Sequence, residues 1–154
     1  MQDVNILIKT AELLAATFTL KFKQDVYITS HTQWREGSTP LSIQVSDGGS
    51  RYDNRQGSAR DESFNINVGL WRYVRLDAAG INTRALTELA DSIFAIRQKA
   101  VLLLDNNYLE GLVVRPLMLI GETAVRDNPK YPGLLLKELI FNGGTITPLT
   151  LTAE

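Results

Sequence analysis

From Ser63 to Arg75 the sequence reads SFNINVGLWRYVR, and apolar residues fall on every second position. Phe64, Ile66, Val68, Leu70 and, beyond, Val74 and Leu76 share one side, with Arg72 as the exception. Asn65, Asn67, Gly69, Trp71, Tyr73 and Arg75 share the other. Successive side chains of a strand point to opposite faces, so this segment predicts a strand with one apolar and one polar face. Such a sheet is antiparallel and covered by helices on one side only.

The covering helices are visible too. Val4, Leu7, Ile8, Ala11, Leu14, Ala15 and Phe18 recur at helical spacing and form one stripe, with Asp3 placed to cap the N-terminus. A second helix is expected from Asn82, with Ile81 and Leu86 as a hydrophobic staple. Its stripe runs through Leu86, Leu89, Ala90, Ile93, Phe94, Ala100, Val101 and Leu104, with Arg97 at the rim, and Asp105, Asn106 and Asn107 stop it. Further strands are expected over 20–28, broken near Gln24, over 41–45, over 112–125 and over 134–141. Pro116 places its strand at an edge, because proline cannot donate to a ladder. The order helix, three strands, helix, two strands predicts an α+β fold. Its antiparallel (mixed) sheet carries two helices packed on one face and a long polar hairpin arm. One domain is expected over 1–142, with a C-terminal tail over 143–154.

The arm is the segment 46–62, SDGGSRYDNRQGSARDE, which is almost devoid of apolar residues yet joins two strands. Hairpin loops are usually about 2–5 residues long, and much longer ones are usually functional. Arg51, Arg55 and Arg60, with Tyr52 among them, could clamp phosphates, but Asp47, Asp53, Asp61 and Glu62 nearly cancel their charge. A loop carrying both signs suits ion pairs with a protein partner better than nucleic acid. Trp71 and Tyr73, on the outward face, are either interface residues or are buried by a loop or by the tail.

Little else carries chemistry. The net charge is −1 and there is no cysteine, which excludes a disulfide scaffold, a thiolate metal site and a thiol nucleophile. His31 is the sole histidine and reads as a loop residue; no nucleophile elbow accompanies it. The glycine pairs at 48–49 and 143–144 follow strands without opening a helix, so they are turns and not phosphate cradles. The arm's carboxylates lack the spacing of a calcium loop. No catalytic, cofactor or metal residue is assigned. The N-terminus lacks a signal-peptide pattern and no apolar run is long enough to span a bilayer, so synthesis in a cytoplasm is expected.

In layout the chain resembles the tail terminators, or tail completion proteins, of tailed bacteriophages. The resemblance lies in the leading helix, the strand pair with its polar arm, FNINVGLWRYV, the long amphipathic helix and closing strands ending LLLKELIFNG. It extends over 1–142 and does not cover the residues after Asn142. It implies a non-enzymatic virion protein that forms a ring, a hexamer, at the head-proximal end of the tail tube. That ring ends tail growth and joins the tail to the neck. The implied partners are further copies of the chain, the tail-tube protein and a head-completion (neck) protein, with DNA passing through the lumen without specific binding and no membrane involved. Arg51, Tyr52, Arg55 and Arg60 would then make inter-subunit contacts, with Trp71 and Tyr73 as second choice. The alternative is a small non-enzymatic module that recognises a peptide or nucleic acid through its sheet face or arm.

Overall fold

The computed structural model describes residues 3–30, 34, 40–54, 59–73, 91–128 and 130–148. His31, Arg55 and the expected cap at Asn82, with the helical stripe up to residue 90, lie outside the described residues.

Helix α1 spans Val4–Phe18. The Asp3 carboxylate accepts the Asn5 N–H at 2.9 Å, which satisfies one of the open donors of the first turn. Thr19, in the left-handed region, ends the helix and bonds back to Ala15 and Ala16. Of the predicted stripe, Leu7, Ala11, Leu14 and Ala15 enter the core, joined by Ile6, which the stripe had left out, while Val4 is exposed and Ile8 only half-buried. Thr10 joins them because its hydroxyl donates to the Ile6 carbonyl at 2.8 Å.

Helix α2 spans Ile93–Leu104 and is capped by Ser92, whose Oγ accepts the Ala95 N–H. Ser92 is extended (φ −62°, ψ 157°), so α2 starts at Ile93 and the expected helix does not run unbroken through position 92. Ile93, Ile96, Ala100 and Leu104 face the core.

The strands are β1 (Val26–Ile28), β2 (Leu41–Asn54), β3 (Ala59–Tyr73), β4 (Arg115–Glu122), β5 (Arg126–Asp127) and β6 (Leu134–Pro148). They form one sheet in the order β1-β2-β3-β6-β4, with β5 following β4 along the same edge of β6. All pairs are antiparallel except β1 with β2, where Val26 lies beside Ile43 in parallel. A parallel neighbour needs a returning connection of about a dozen residues, and 29–40 supplies it. The expected strand over 20–28 is cut short: residues 23–25 turn, Lys23 has φ 73°, and only 26–28 enter the sheet.

One apolar layer lies between sheet and helices. Ile43 and Val45 from β2, Phe64, Ile66, Val68 and Leu70 from β3, and Leu135, Leu139 and Phe141 from β6 meet α1 and α2 there. At Gly143 the sheet leaves no room for a side chain, since a Cβ would lie 2.8 Å from the Phe64 ring. The residues set apart as a tail from position 143 continue β6: Gly143–Pro148 pair with β3 from Phe64 back to Ala59.

The chain itself guards both outer edges of this body. On β4, Leu117 exchanges hydrogen bonds with Asn106 and Asn107, and the Asp105 carboxylate accepts the Leu119 N–H at 2.9 Å. On β1, the Lys23 N–H donates to the Val26 carbonyl at 2.7 Å. Open edges invite pairing with other chains, and these bonds occupy part of each edge. Pro116 sits in β4 at the sheet margin, as its missing N–H requires.

Candidate interface on the polar arm

The arm begins at a bulge. Register between β2 and β3 shifts between Asp47 and Ser50. Gly49 takes φ +99°, a conformation that disfavours other residues, and its N–H is held by the Asp47 carboxylate at 2.9 Å. Past the bulge, Ser50 lies beside Phe64, and β2 then pairs with β3 down to Asn54 beside Arg60. β6 flanks β3 on its other side, so the arm is a three-stranded ribbon. No described residue of 50–63 or 144–148 belongs to the apolar core.

One face of the ribbon continues the helix-side face of the body, now with polar residues. Glu62 is buried, and its two carboxylate oxygens accept the hydroxyls of Ser50 at 2.9 Å and Thr145 at 3.2 Å. The carboxylate therefore ties all three strands together where an apolar side chain did so in the body. Next along this face the Arg60 guanidinium lies 5.4 Å from the centre of the Tyr52 ring, within the range of a cation–π contact. The Arg60 Nε is buried with no hydrogen-bond partner among the described residues.

The other face holds Arg51, Asp53, Asp61, Ser63 and Ile146. Arg51 and Asp53 are exposed, and among the described residues neither side chain has an ion pair or hydrogen bond. Asp53 lies directly beside Asp61, a like-charged cross-strand pair. Ile146 stands 41% exposed next to Asp61. At the foot of this face is a polar pocket of about 400 Å³, bounded by Gly49, Arg51, Asn65, Ile120 and Asn142. The Asn142 amide nitrogen lies 3.0 Å from acceptors on Ser63, Phe64 and Asn65, which fixes the junction of arm and body.

Of the candidate residues, Arg51, Tyr52 and Arg60 come together on the arm, while Arg55 is outside the described residues. Tyr73 lies at the opposite end of β3 and is 48% exposed. Trp71 is only 4% exposed and packs inside the protomer with Leu134, Leu136 and Trp34. Its indole N–H donates to the Gln44 side chain at 3.1 Å. Trp71 thus takes the buried reading, and Tyr73 keeps an accessible surface.

Two cations sit on the apolar face of the sheet. Arg72, the exception in the alternating strand, is held by Asp91 at 2.7 Å and by the Tyr73 carbonyl. Lys137 is buried, donates to the Thr123 carbonyl and lies 3.9 Å from Glu122. Arg97 donates to Glu122 at 2.8 Å. That hydrogen bond, helped by the charge of Lys137 and opposed by burial, holds the Glu122 carboxyl below its ordinary value. Arg97 with Glu122 binds α2 to the sheet, Lys137 with Glu122 joins β6 to β4, and Arg72 with Asp91 holds the residues just before α2, so all three serve the fold.

Sequence reasoning missed Glu62 as the tie of the arm, though a signal existed. Counting back from Phe64 by twos reaches Glu62 and Arg60, so the alternation itself put the carboxylate on the inner face. Among the described residues no cluster of His, Cys, Asp and Glu could hold a metal ion, and no helix is long and apolar enough to cross a membrane.

No family model matches the chain, and no curated protein does. Among solved structures it is similar to a chain of the "Virion of native gene transfer agent (GTA) particle", at 15% identity and a TM-score of 0.40. The match takes in 96% of this chain and 100% of that one. A likeness at that level carries no functional inference.

Proposed function

We propose that this protein is a structural virion component that works by assembly: a ring-forming tail terminator at the head-proximal end of a phage tail tube. The observation that carries the assembly reading is the arm. A domain that has already buried its core extends three hydrogen-bonded strands past it. Those strands display Arg51, Tyr52 and Asp53 to solvent. Ordered strands without a core of their own suit docking onto another surface, where ionic groups set register and apolar ones affinity.

The specific role follows the layout of the chain, from its leading helix to the closing strand. In that reading Arg51, Tyr52, Arg60 and Tyr73 face neighbouring subunits, which then contact the tail-tube protein and a neck protein. A head-to-tail ring uses two different surfaces of each subunit, and the arm is one of them.

The test is the mass and shape of the purified protein, alone and with tail-tube protein, by light scattering and electron microscopy. A ring of defined size with a central hole is expected. Arg51→Ala combined with Arg60→Ala should reduce ring formation while leaving the circular dichroism spectrum and melting temperature of the monomer unchanged. A protein that stays monomeric at high concentration, and ignores tail-tube protein, would rule the ring out. Unaltered rings in the double variant would remove the arm from the contact.

A further inference from the structure

We propose that the outer edge of the arm, residues 50–54 of β2, pairs with the same edge of a second copy. The two edges would run antiparallel, with Tyr52 on the two-fold axis. The contact goes beyond the ring reading and does not depend on it.

Among the described residues this edge has no partner, whereas part of each outer edge of the body does. β1 accompanies β2 only as far as Val45, and the last contact there is the Thr29 N–H donating to the Val45 carbonyl. Among the described residues no strand lies beside 50–53 on that side. An edge of this kind presents a row of backbone donors and acceptors to any strand that fits.

The side chains select which strand fits. Around a two-fold axis normal to the sheet, each residue must oppose one on the same face, so residue numbers of paired positions sum to an even value. With the axis at Arg51, two arginines oppose each other. With the axis at Asp53, two aspartates do. With the axis at Tyr52, Arg51 of each copy faces Asp53 of the other, twice. Opposite charges across a pair stabilise it and like charges weaken it. Of the registers centred on Arg51, Tyr52 and Asp53, the one on Tyr52 alone pairs opposite charges twice.

Two further observations fit that register. Asp53 lies beside Asp61 within the protomer, so an arginine arriving on its other side brings a positive charge next to two carboxylates. On the opposite face the two Tyr52 rings meet at the axis, each beside its own Arg60 guanidinium. Tyr52 is 39% exposed in the free chain and has surface to lose. A two-fold contact closes on two copies. It uses Arg51 and Tyr52, which the ring reading sets against neighbouring subunits, so at these residues it replaces the ring contact, and in free protein it gives a dimer.

The experiment uses the full chain in three versions: natural, Arg51→Asp and Asp53→Arg. Each single substitution makes both cross-strand pairs like-charged, so each should weaken dimerisation by about tenfold or more. Mixed together, the two variants restore opposite charges at both pairs, and a mixed dimer should form at natural affinity by sedimentation or native mass spectrometry. As an independent check, Tyr52→Cys should give a disulfide-linked dimer on mild oxidation. Failure of the mixed dimer to form overturns the proposal, as does absence of the Tyr52→Cys cross-link. A cross-link between Arg51→Cys on one copy and Ile146→Cys on another would point to edge-to-edge pairing of β2 with β6 and would also overturn it. Dimers that never grow into rings would leave this contact standing while removing the ring; rings with no dimer would do the reverse.

Discussion

Strands β2, β3 and β6 each pass through two environments, and the same hydrogen-bonded ladder is held together differently in each. In the body, Ile43 beside Leu70, and Val45 beside Val68 and Leu139, stack against helices, and burial of apolar area stabilises the sheet. Past the Asp47–Ser50 bulge the helices no longer contribute, and Ser50, Glu62 and Thr145 occupy the corresponding face. There the ladder depends on one buried carboxylate and its two hydroxyl donors. A strand can thus be continuous in backbone and discontinuous in what stabilises it. The body should behave as a cooperative unit, and the arm should open on its own at lower free energy.

Substitutions can break or sharpen that contrast. The largest effect is expected from Phe141→Ala in the body, which removes a fully buried ring at the sheet centre and should cost about 3–5 kcal/mol in denaturant titration. Next, Glu62→Ala should cost the arm about 1.5–3 kcal/mol, the usual worth of a hydrogen bond to a charged group. The loss should show as faster amide exchange in 50–54, 59–63 and 145–148, with little change in the body's unfolding midpoint. If the midpoint falls as far as for Phe141→Ala, arm and body are one unit and the contrast is wrong. Gly49→Ala places a side chain at φ +99° and should cost about 1–2 kcal/mol, felt at the bulge that separates the two regions.

The smallest effect concerns Glu122. Its folded carboxyl is depressed by the Arg97 hydrogen bond, so the stabilisation is present at neutral pH and is lost as pH falls through the folded value. Natural protein should exceed Glu122→Gln in stability by no more than about 1 kcal/mol at pH 7, since the pair is partly exposed. The difference should vanish in strong acid, as thermal melts at the two pH values would show.

Much of the body was legible because its signals are local. The period of two from Phe64 to Leu70, the α1 stripe, the Asp3 cap and the edge position of Pro116 all follow from neighbours in sequence. What escaped depends on partners far along the chain. The face of Trp71 reads as solvent until Leu134 and Leu136 arrive beside it from β6, with Trp34 packed against them. The stretch after Asn142 reads as a tail because nothing in GGTITP reveals that β3 continues long enough to pair with it. Lys137 looks like a polar interruption in LLLKEL, yet its ammonium is satisfied by a carbonyl fourteen residues earlier. For the arm, the residue types were visible and the geometry was not: Arg51, Tyr52 and Arg60 were named from charge and aromaticity, and the role of Glu62 needed the register.

The strand order has a consequence for how the molecule is made. β6 lies between β3 and β4, so β4, although synthesised earlier, has no sheet neighbour until the ribosome has delivered residues 139–144. β3 likewise waits, with one side of its ladder bare, while more than half the chain is still to come or has just emerged. Non-local pairings of this kind form slowly, since a long loop must close before they are rewarded. The protein is therefore expected to complete its sheet after synthesis is almost finished, and nascent chains truncated before Phe141 should be digested by protease as readily as unfolded ones.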